Sequence, residues 1–256
     1  MTSDALTAKS TDPTRKTALV AGVLYLVTFL SSIPAVFLLD PVLTNPQYIV
    51  SAGADSQVRL GAGLDLVNAL ACIGTAVALF SLVKRQHEGL ALGFVTTRMF
   101  EAAVIVIGVV SILSVVTLRQ AGAANGDAAS LVPVGQALVA IRDWTFVLGP
   151  GTAGLNALLL GTLMYRSRLV PRLIPTIGLI GGPIYYSAVI AIVLGITSVG
   201  SVWQGIGGLF MFVWELLLGL WMTFKGFLPS SPLVAAFGPP KPGASQVAVA
   251  ANADMA

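Results

Sequence analysis

Long apolar runs separated by short polar connections make up most of the chain between residues 18 and 224. A helix that crosses ~30 Å of hydrocarbon needs ~20 mainly apolar residues, and six runs are long enough. They predict membrane-spanning helices near 18–39, 60–83, 93–118, 144–165, 173–197 and 202–224. We therefore expect an all-α integral membrane protein, with residues 15–228 as a six-helix transmembrane bundle and with disordered tails at 1–14 and 229–256.

The fourth run is interrupted by LGPGTAG, Leu148 to Gly154. A proline and several glycines inside a helix weaken its hydrogen-bond ladder, although neighbouring helices make such breaks tolerable within a membrane. The helix can therefore begin anywhere between Leu131 and Trp144, and we place its predicted start at residue 144.

Lysine and arginine in the short connections indicate the orientation, because they accumulate on the cytoplasmic side. With a cytoplasmic N-terminus, ten lie inside, three lie outside and Arg98 lies within the membrane. The ten are Lys9, Arg15, Lys16, Lys84, Arg85, Arg166, Arg168, Arg172, Lys225 and Lys241, and the three are Arg59, Arg119 and Arg142. This asymmetry predicts that both termini are cytoplasmic. A cleaved signal peptide is the alternative for the first run, but the run is longer than the ~7–15 residues of a signal-peptide core.

The composition agrees with a membrane protein and excludes several kinds of chemistry. Hydrophobic residues make up 56% of the chain and charged residues 10%, against ~25% charged in soluble domains. The net charge of +3 follows from the orientation, so we expect membrane lipids as partners and no nucleic acid. One cysteine, Cys72, and one histidine, His87, are too few for a disulfide framework or a histidine- or thiolate-rich metal site. We expect no catalytic, metal-binding or cofactor-binding residues, which argues against an enzyme.

Three ionisable residues fall at similar depths inside the predicted bundle. An ionisable group in the membrane costs ~2.5–3.5 kcal/mol on insertion scales, so it normally faces the bundle interior and finds a partner. Arg98 and Glu101 are three residues apart and share one face of the third helix. Glu215 has no such neighbour in its own helix, so its partner is another helix, a proton or water. Arg98, Glu101 and Glu215 therefore form the candidate polar cluster, between helices three and six.

Four further polar residues are secondary candidates. Asp65 lies ~10 Å from the midplane in the opposite half of the bilayer, so we do not expect it to meet Arg98. Asp65 and Asn68 are interpreted as a satisfied helix end or a vestibule. Arg142 and Asp143 are interpreted as an interfacial pair.

The cluster is compatible with three functions. The leading interpretation is a structural or accessory membrane protein whose cluster holds helices three and six together. The alternative is a small-solute or proton-coupled transporter, in which Arg98 binds an anionic group and one glutamate carries the proton. A distant third is an intramembrane lipid-modifying enzyme. A cavity that reaches two members of the cluster would favour the second interpretation over the first.

Four segments together carry a family resemblance. They are RKTALVAGVLYLVTFL, TRMFEAAVIVIG, LLLGTLMYRSRLVPRLIPTIGLIGGPIYY and FVWELLLGLWMTFKGF. They resemble a bacterial family of multi-pass membrane proteins catalogued only as a domain of unknown function, over about residues 17–227. The matching residues are Arg98, Glu101, Tyr165, Arg166, Pro171, Arg172, Glu215, Trp221, Lys225 and Gly226. The resemblance implies six helices in a bacterial inner membrane and brings no known activity.

Overall fold

The structure, a computed structural model, describes residues 13–51, 53–125 and 129–236. Within these ranges the chain forms eight α-helices and two 3-10 turns, with no strand. The helices are α1 Pro13–Thr44, α2 Asp55–Val83, α3 Glu88–Asn125, α4 Val132–Gly151, α5 Ala153–Ser167, α6 Leu173–Val193, α7 Val202–Phe224 and α8 Pro232–Ala235. The 3-10 turns are Tyr48–Val50 and Ala129–Leu131.

Six stretches of the described chain are long and apolar enough to cross a membrane, as predicted. Five of them correspond to α1, α2, α3, α6 and α7, and α4 and α5 together form the fourth span, Val132–Ser167. The predicted helices five and six are therefore α6 and α7 of the structure. The all-α class and the six spans are therefore confirmed. We call the side of the bundle that carries the start of α1 and the α2–α3 turn the near side, and the opposite side the far side.

The fourth span differs from the prediction at its start. It begins at Val132 rather than at residue 144, and the helix continues through Pro150 and breaks only at Thr152. At that break the amide of Thr152 donates to the carbonyl oxygen of Gly149 at 3.0 Å. The Thr152 hydroxyl donates to the same oxygen at 2.7 Å. The break therefore separates two helical pieces instead of starting the helix.

The C-terminal boundary also differs from the prediction. Residues 229–236 were expected to be disordered, but they fold back onto the near side. The amide of Leu228 donates to the carbonyl oxygen of Leu169 at 2.8 Å. The buried hydroxyl of Ser231 donates to the carbonyl oxygen of Ser167 at 2.7 Å. The N-terminal tail was predicted to end at residue 14, but α1 begins at Pro13. The rest of the predicted tails, 1–12 and 237–256, lies outside the described residues.

Close helix contacts through glycine hold the bundle together. A Cβ at Gly22 of α1 would lie 2.5 Å from the backbone nitrogen of Thr223 and 2.8 Å from the carbonyl oxygen of Gly219, both on α7. Similarly, a Cβ at Gly207 of α7 would lie 2.5 Å from the Cα of Tyr185 on α6. Small residues allow such approach between helices in a membrane, where dispersion contacts replace the hydrophobic effect. These contacts fix the positions of α1, α6 and α7 around the polar interior.

Candidate functional site

Arg98 of α3 is the centre of a buried ion-pair network. Its Nη1 atom donates to Oε2 of Glu101 at 3.0 Å, within the same helix. Its Nη2 atom donates to Oε1 of Glu215 on α7 at 2.6 Å. Hydrogen bonds between ionised groups are short and strong, and they are stronger still away from water. The structure therefore brings the three residues of the candidate polar cluster together, and Arg98 is the partner that Glu215 lacked in its own helix.

Asn156 of α5 extends the network to a third helix. Its Nδ2 atom donates to Oε2 of Glu101 at 2.8 Å, and its Oδ1 atom accepts a hydrogen bond from the hydroxyl of Thr97. Sequence analysis missed Asn156, although it is a polar amide in the apolar run of α5. An amide at that depth needs partners for both of its ends, and this requirement was the available signal.

The guanidinium of Arg98 also contacts α1 and α2. Its central carbon lies 5.0 Å from the centre of the Tyr25 ring, a cation–π arrangement. Its Nη1 atom lies 3.7 Å from the Sγ atom of Cys72. The Nε atom of Arg98 is buried and has no hydrogen-bond partner among the described residues. The network thus contains a donor that no atom of the described residues satisfies.

A second buried ion pair joins α2 and α4. The Nη2 atom of Arg142 donates to Oδ2 of Asp65 at 2.9 Å, and both side chains are more than nine-tenths buried. The expected pairing of Arg142 with Asp143 is therefore wrong. Consecutive residues of a helix point ~100° apart, so Arg142 faces the bundle while Asp143 is exposed and lines a separate pocket on the far side. Asn68, the remaining secondary candidate, lies one turn from Asp65 and accepts a long contact, 3.9 Å, from Cys72.

The Arg98 network and the Arg142–Asp65 pair line one cavity of about 260 Å³. Its walls come from α1, α2, α3, α4, α5, α6 and α7, and its charged lining residues are Asp65, Arg98, Glu101, Arg142 and Glu215. Two arginines and three carboxylates carry a formal charge of −1 when all are ionised. The volume lies just below the ~300–1,000 Å³ of typical small-molecule pockets. The cavity therefore has room for water or a compact ligand beside the charged groups.

The geometry limits what this cavity can do chemically. Both terminal nitrogens of Arg98 donate to carboxylates, so its charge is already compensated from within the chain. The side chain of Glu215 is 15% exposed, against 2% for Arg98, so the carboxylate reaches the cavity more than the arginine does. In the ranges that the structure covers, no three His, Cys, Asp or Glu side chains are grouped so that they could hold a metal ion.

A further ion pair lies outside the cavity, at the far side. Asp55 at the start of α2 accepts hydrogen bonds from Arg119 of α3 and, at 2.9 Å, from the hydroxyl of Tyr48 in the α1–α2 connection. Burial and the bond to Asp55 raise the pKa of Tyr48 to about 12. Sequence analysis did not identify this group. It fixes the α1–α2 connection to α3.

The family model for "Domain of unknown function (DUF4386)" matches residues 20–226. The chain belongs to this family. The resemblance to a family of unknown function is thereby confirmed, and the matched range contains every charged residue that lines the cavity. The family description assigns no activity. No curated protein and no solved structure matches the chain.

Proposed function

We propose that the chain binds a small cation in the cavity between its membrane-spanning helices. The observation that supports this proposal is the cavity itself, whose lining carries three carboxylates against two arginines, a formal charge of −1 when all five are ionised. Excess negative charge in a site of low dielectric favours a positively charged ligand and opposes an anion. Movement of the cation across the membrane, with a proton exchanged at a carboxylate, would make the protein a transporter.

The proposed ligand is a cation, whereas the sequence analysis considered an anionic group bound by Arg98. To bind the terminal nitrogens of Arg98, an anion would have to displace Glu101 or Glu215, and the displaced carboxylate would remain buried without a counter-charge. A cation needs no such exchange, because it can approach the carboxylate of Glu215 from the cavity. A compact ammonium group fits both the charge and the volume.

The structural interpretation has support of its own. Arg98, Glu101, Asn156 and Glu215 connect α3, α5 and α7 through hydrogen bonds, as polar contacts in membrane bundles do. A purely structural network does not need an adjoining cavity, however. The two roles predict different results when one carboxylate loses its charge and keeps its shape.

The decisive experiment is Glu215→Gln in the purified protein in lipid nanodiscs, with methylammonium binding measured by equilibrium dialysis. The variant should bind at least about 30-fold more weakly, because loss of a buried charged partner costs ~2 kcal/mol or more. Glu88→Gln is the matched control, since Glu88 is exposed outside the cavity, and it should bind like the wild type.

Two results would contradict cation binding at this site. The first is a wild-type protein that binds no ammonium compound, with Glu215→Gln simply less stable; this result would leave the structural role. The second is unchanged binding by Glu215→Gln.

We also propose that both termini are cytoplasmic and that the protein lies in a bacterial inner membrane. The support for the orientation is the distribution of lysine and arginine. In a Cys72→Ala background, Ser198→Cys in the far-side α6–α7 connection should react with a membrane-impermeant thiol reagent added to intact cells. Gln86→Cys in the near-side α2–α3 turn should react only after lysis. The reverse pattern would overturn the orientation.

A further inference from the structure

The cavity has a mouth on the side of the bundle. Four apolar side chains line the cavity and also expose 44–46% of their surface: Ile33 and Val36 of α1, Phe146 of α4, and Phe212 of α7. A residue that is both a wall of the cavity and part of the outer surface marks an opening. These four residues, which we call the mouth residues, therefore define an apolar opening.

The packing of α1 and α7 explains why the mouth is there. On the near side the two helices touch closely at Gly22 and Gly219, and halfway along them the rings of Phe29 and Phe212 meet edge to face, 5.2 Å apart. Towards the far side the helices take different partners. There α1 packs on α2 at Gly61, and α7 packs on α6 at Gly207. The divergence leaves the opening between them.

The mouth opens to hydrocarbon rather than to water. Phe212 lies near the middle of the span Val202–Phe224. Ile33 lies four residues, or ~6 Å along the helix axis, from the middle of the span Thr14–Thr44. Both positions fall well inside a hydrocarbon layer ~30 Å thick. A ligand that uses this opening must dissolve in the bilayer.

We propose that the ligand is an amphiphilic amine that enters sideways from the bilayer through the mouth residues. This inference rests on the proposed cation binding. The ammonium group lies at the carboxylate of Glu215, and the apolar part lies among Ile33, Phe146 and Phe212. The mouth thus selects an apolar tail while the carboxylate selects the charge.

The test compares hexylamine with methylamine in wild-type protein in lipid nanodiscs. Burial of each methylene group favours binding by about fourfold, so hexylamine should bind at least about tenfold more tightly even when only part of its tail is covered. Phe212→Trp and Ile33→Trp narrow the mouth from two different helices, and each should slow hexylamine association by about tenfold. Leu209→Trp is the matched control, because Leu209 is 63% exposed on α7 and does not line the cavity.

Phe212→Ala widens the mouth and should speed association, which keeps the test decisive if a tryptophan variant does not fold. Equal affinity for the two amines, with mouth variants that associate at the rate of Leu209→Trp, would overturn entry from the bilayer. In that case loss of methylammonium binding in Glu215→Gln would still support the cation site. If the wild type binds neither amine, both proposals are wrong.

Discussion

Replacing Arg98 with methionine measures how far the bundle depends on one buried cation. Methionine is long, flexible and apolar, so it fills much of the arginine's volume without its charge. Glu101 and Glu215 then face each other with no cation between them, and the Asn156 amide is the one remaining donor to Glu101 among the described residues. Arg98→Met should therefore destabilise the protein severely.

The loss in the free energy of unfolding follows from the two states open to each carboxyl without its arginine, charged or protonated. A carboxyl that stays charged costs ~3–5 kcal/mol, the usual penalty for breaking a buried ion pair. A carboxyl that takes up a proton at pH 7, from an ordinary glutamate pKa of about 4.3, costs roughly 3.7 kcal/mol. For two carboxyls these costs add to about 6–10 kcal/mol, and we expect the free energy of unfolding to fall by roughly 7 kcal/mol at pH 7.

The pH dependence gives this prediction its sharpest test. The folded variant would hold up to two protons that its unfolded chain releases at pH 7, so its stability should fall as the pH rises. The slope reaches about 2.7 kcal/mol per pH unit for two protons. Unfolding by SDS in mixed micelles at pH 5.5, 6.5 and 7.5 measures it.

Adding Glu101→Gln and Glu215→Gln to Arg98→Met should restore most of the stability, because all members of the network are then neutral. Proton uptake by the carboxyls would be refuted if the single variant loses stability equally at all three pH values. A triple variant no more stable than the single one would refute the reasoning as a whole.

Three further predictions concern packing and the other ion pairs. Asp65→Asn leaves the buried Arg142 without its carboxylate and should cost ~3 kcal/mol in the same SDS assay at pH 7. Gly22→Leu forces α1 away from α7 and should lower the melting temperature strongly, whereas Gly63→Ala, with open space around its Cβ, should stabilise α2 by up to ~1 kcal/mol. Tyr48 should stay neutral until about pH 12 in an absorbance titration, and the stability it contributes should be lost as the pH rises from ~10 through that value, because its folded-state pKa is the higher one.

The spans could be predicted because lipid imposes a minimum length on every apolar run. The ends of the helices could not be predicted, because the backbone hydrogen bonding of a helix continues beyond the hydrocarbon layer. α3, for example, has 38 residues and is ~57 Å long, well over the membrane core. Similarly, Pro150 marked a weak point in the fourth span, but the sequence did not say that helix would form on both sides of it.

The Arg98–Glu101 pair could be predicted from spacing alone, because residues three apart share a helix face. Depth along the helices also made Glu215 a plausible neighbour. The sequence does not give the rotation of each helix about its own axis. That rotation determines that Arg142 pairs with Asp65 rather than with Asp143. Asn156 was missed for a similar reason, since its role depends on which face α5 turns towards α3.

The break at Thr152 divides the fourth span into two helices that carry different polar residues of the cavity region. α4 holds Arg142 and α5 holds Asn156, so each ion-pair group is attached to its own rigid piece. Arg142 lies ten residues, or ~15 Å, from the break, and a bend of only about 10° there would move it by ~2.6 Å. A displacement of that size along the 2.9 Å hydrogen bond to Asp65 would stretch it well past hydrogen-bonding distance. A small flexion at Thr152 would therefore open one ion pair while the other stays closed.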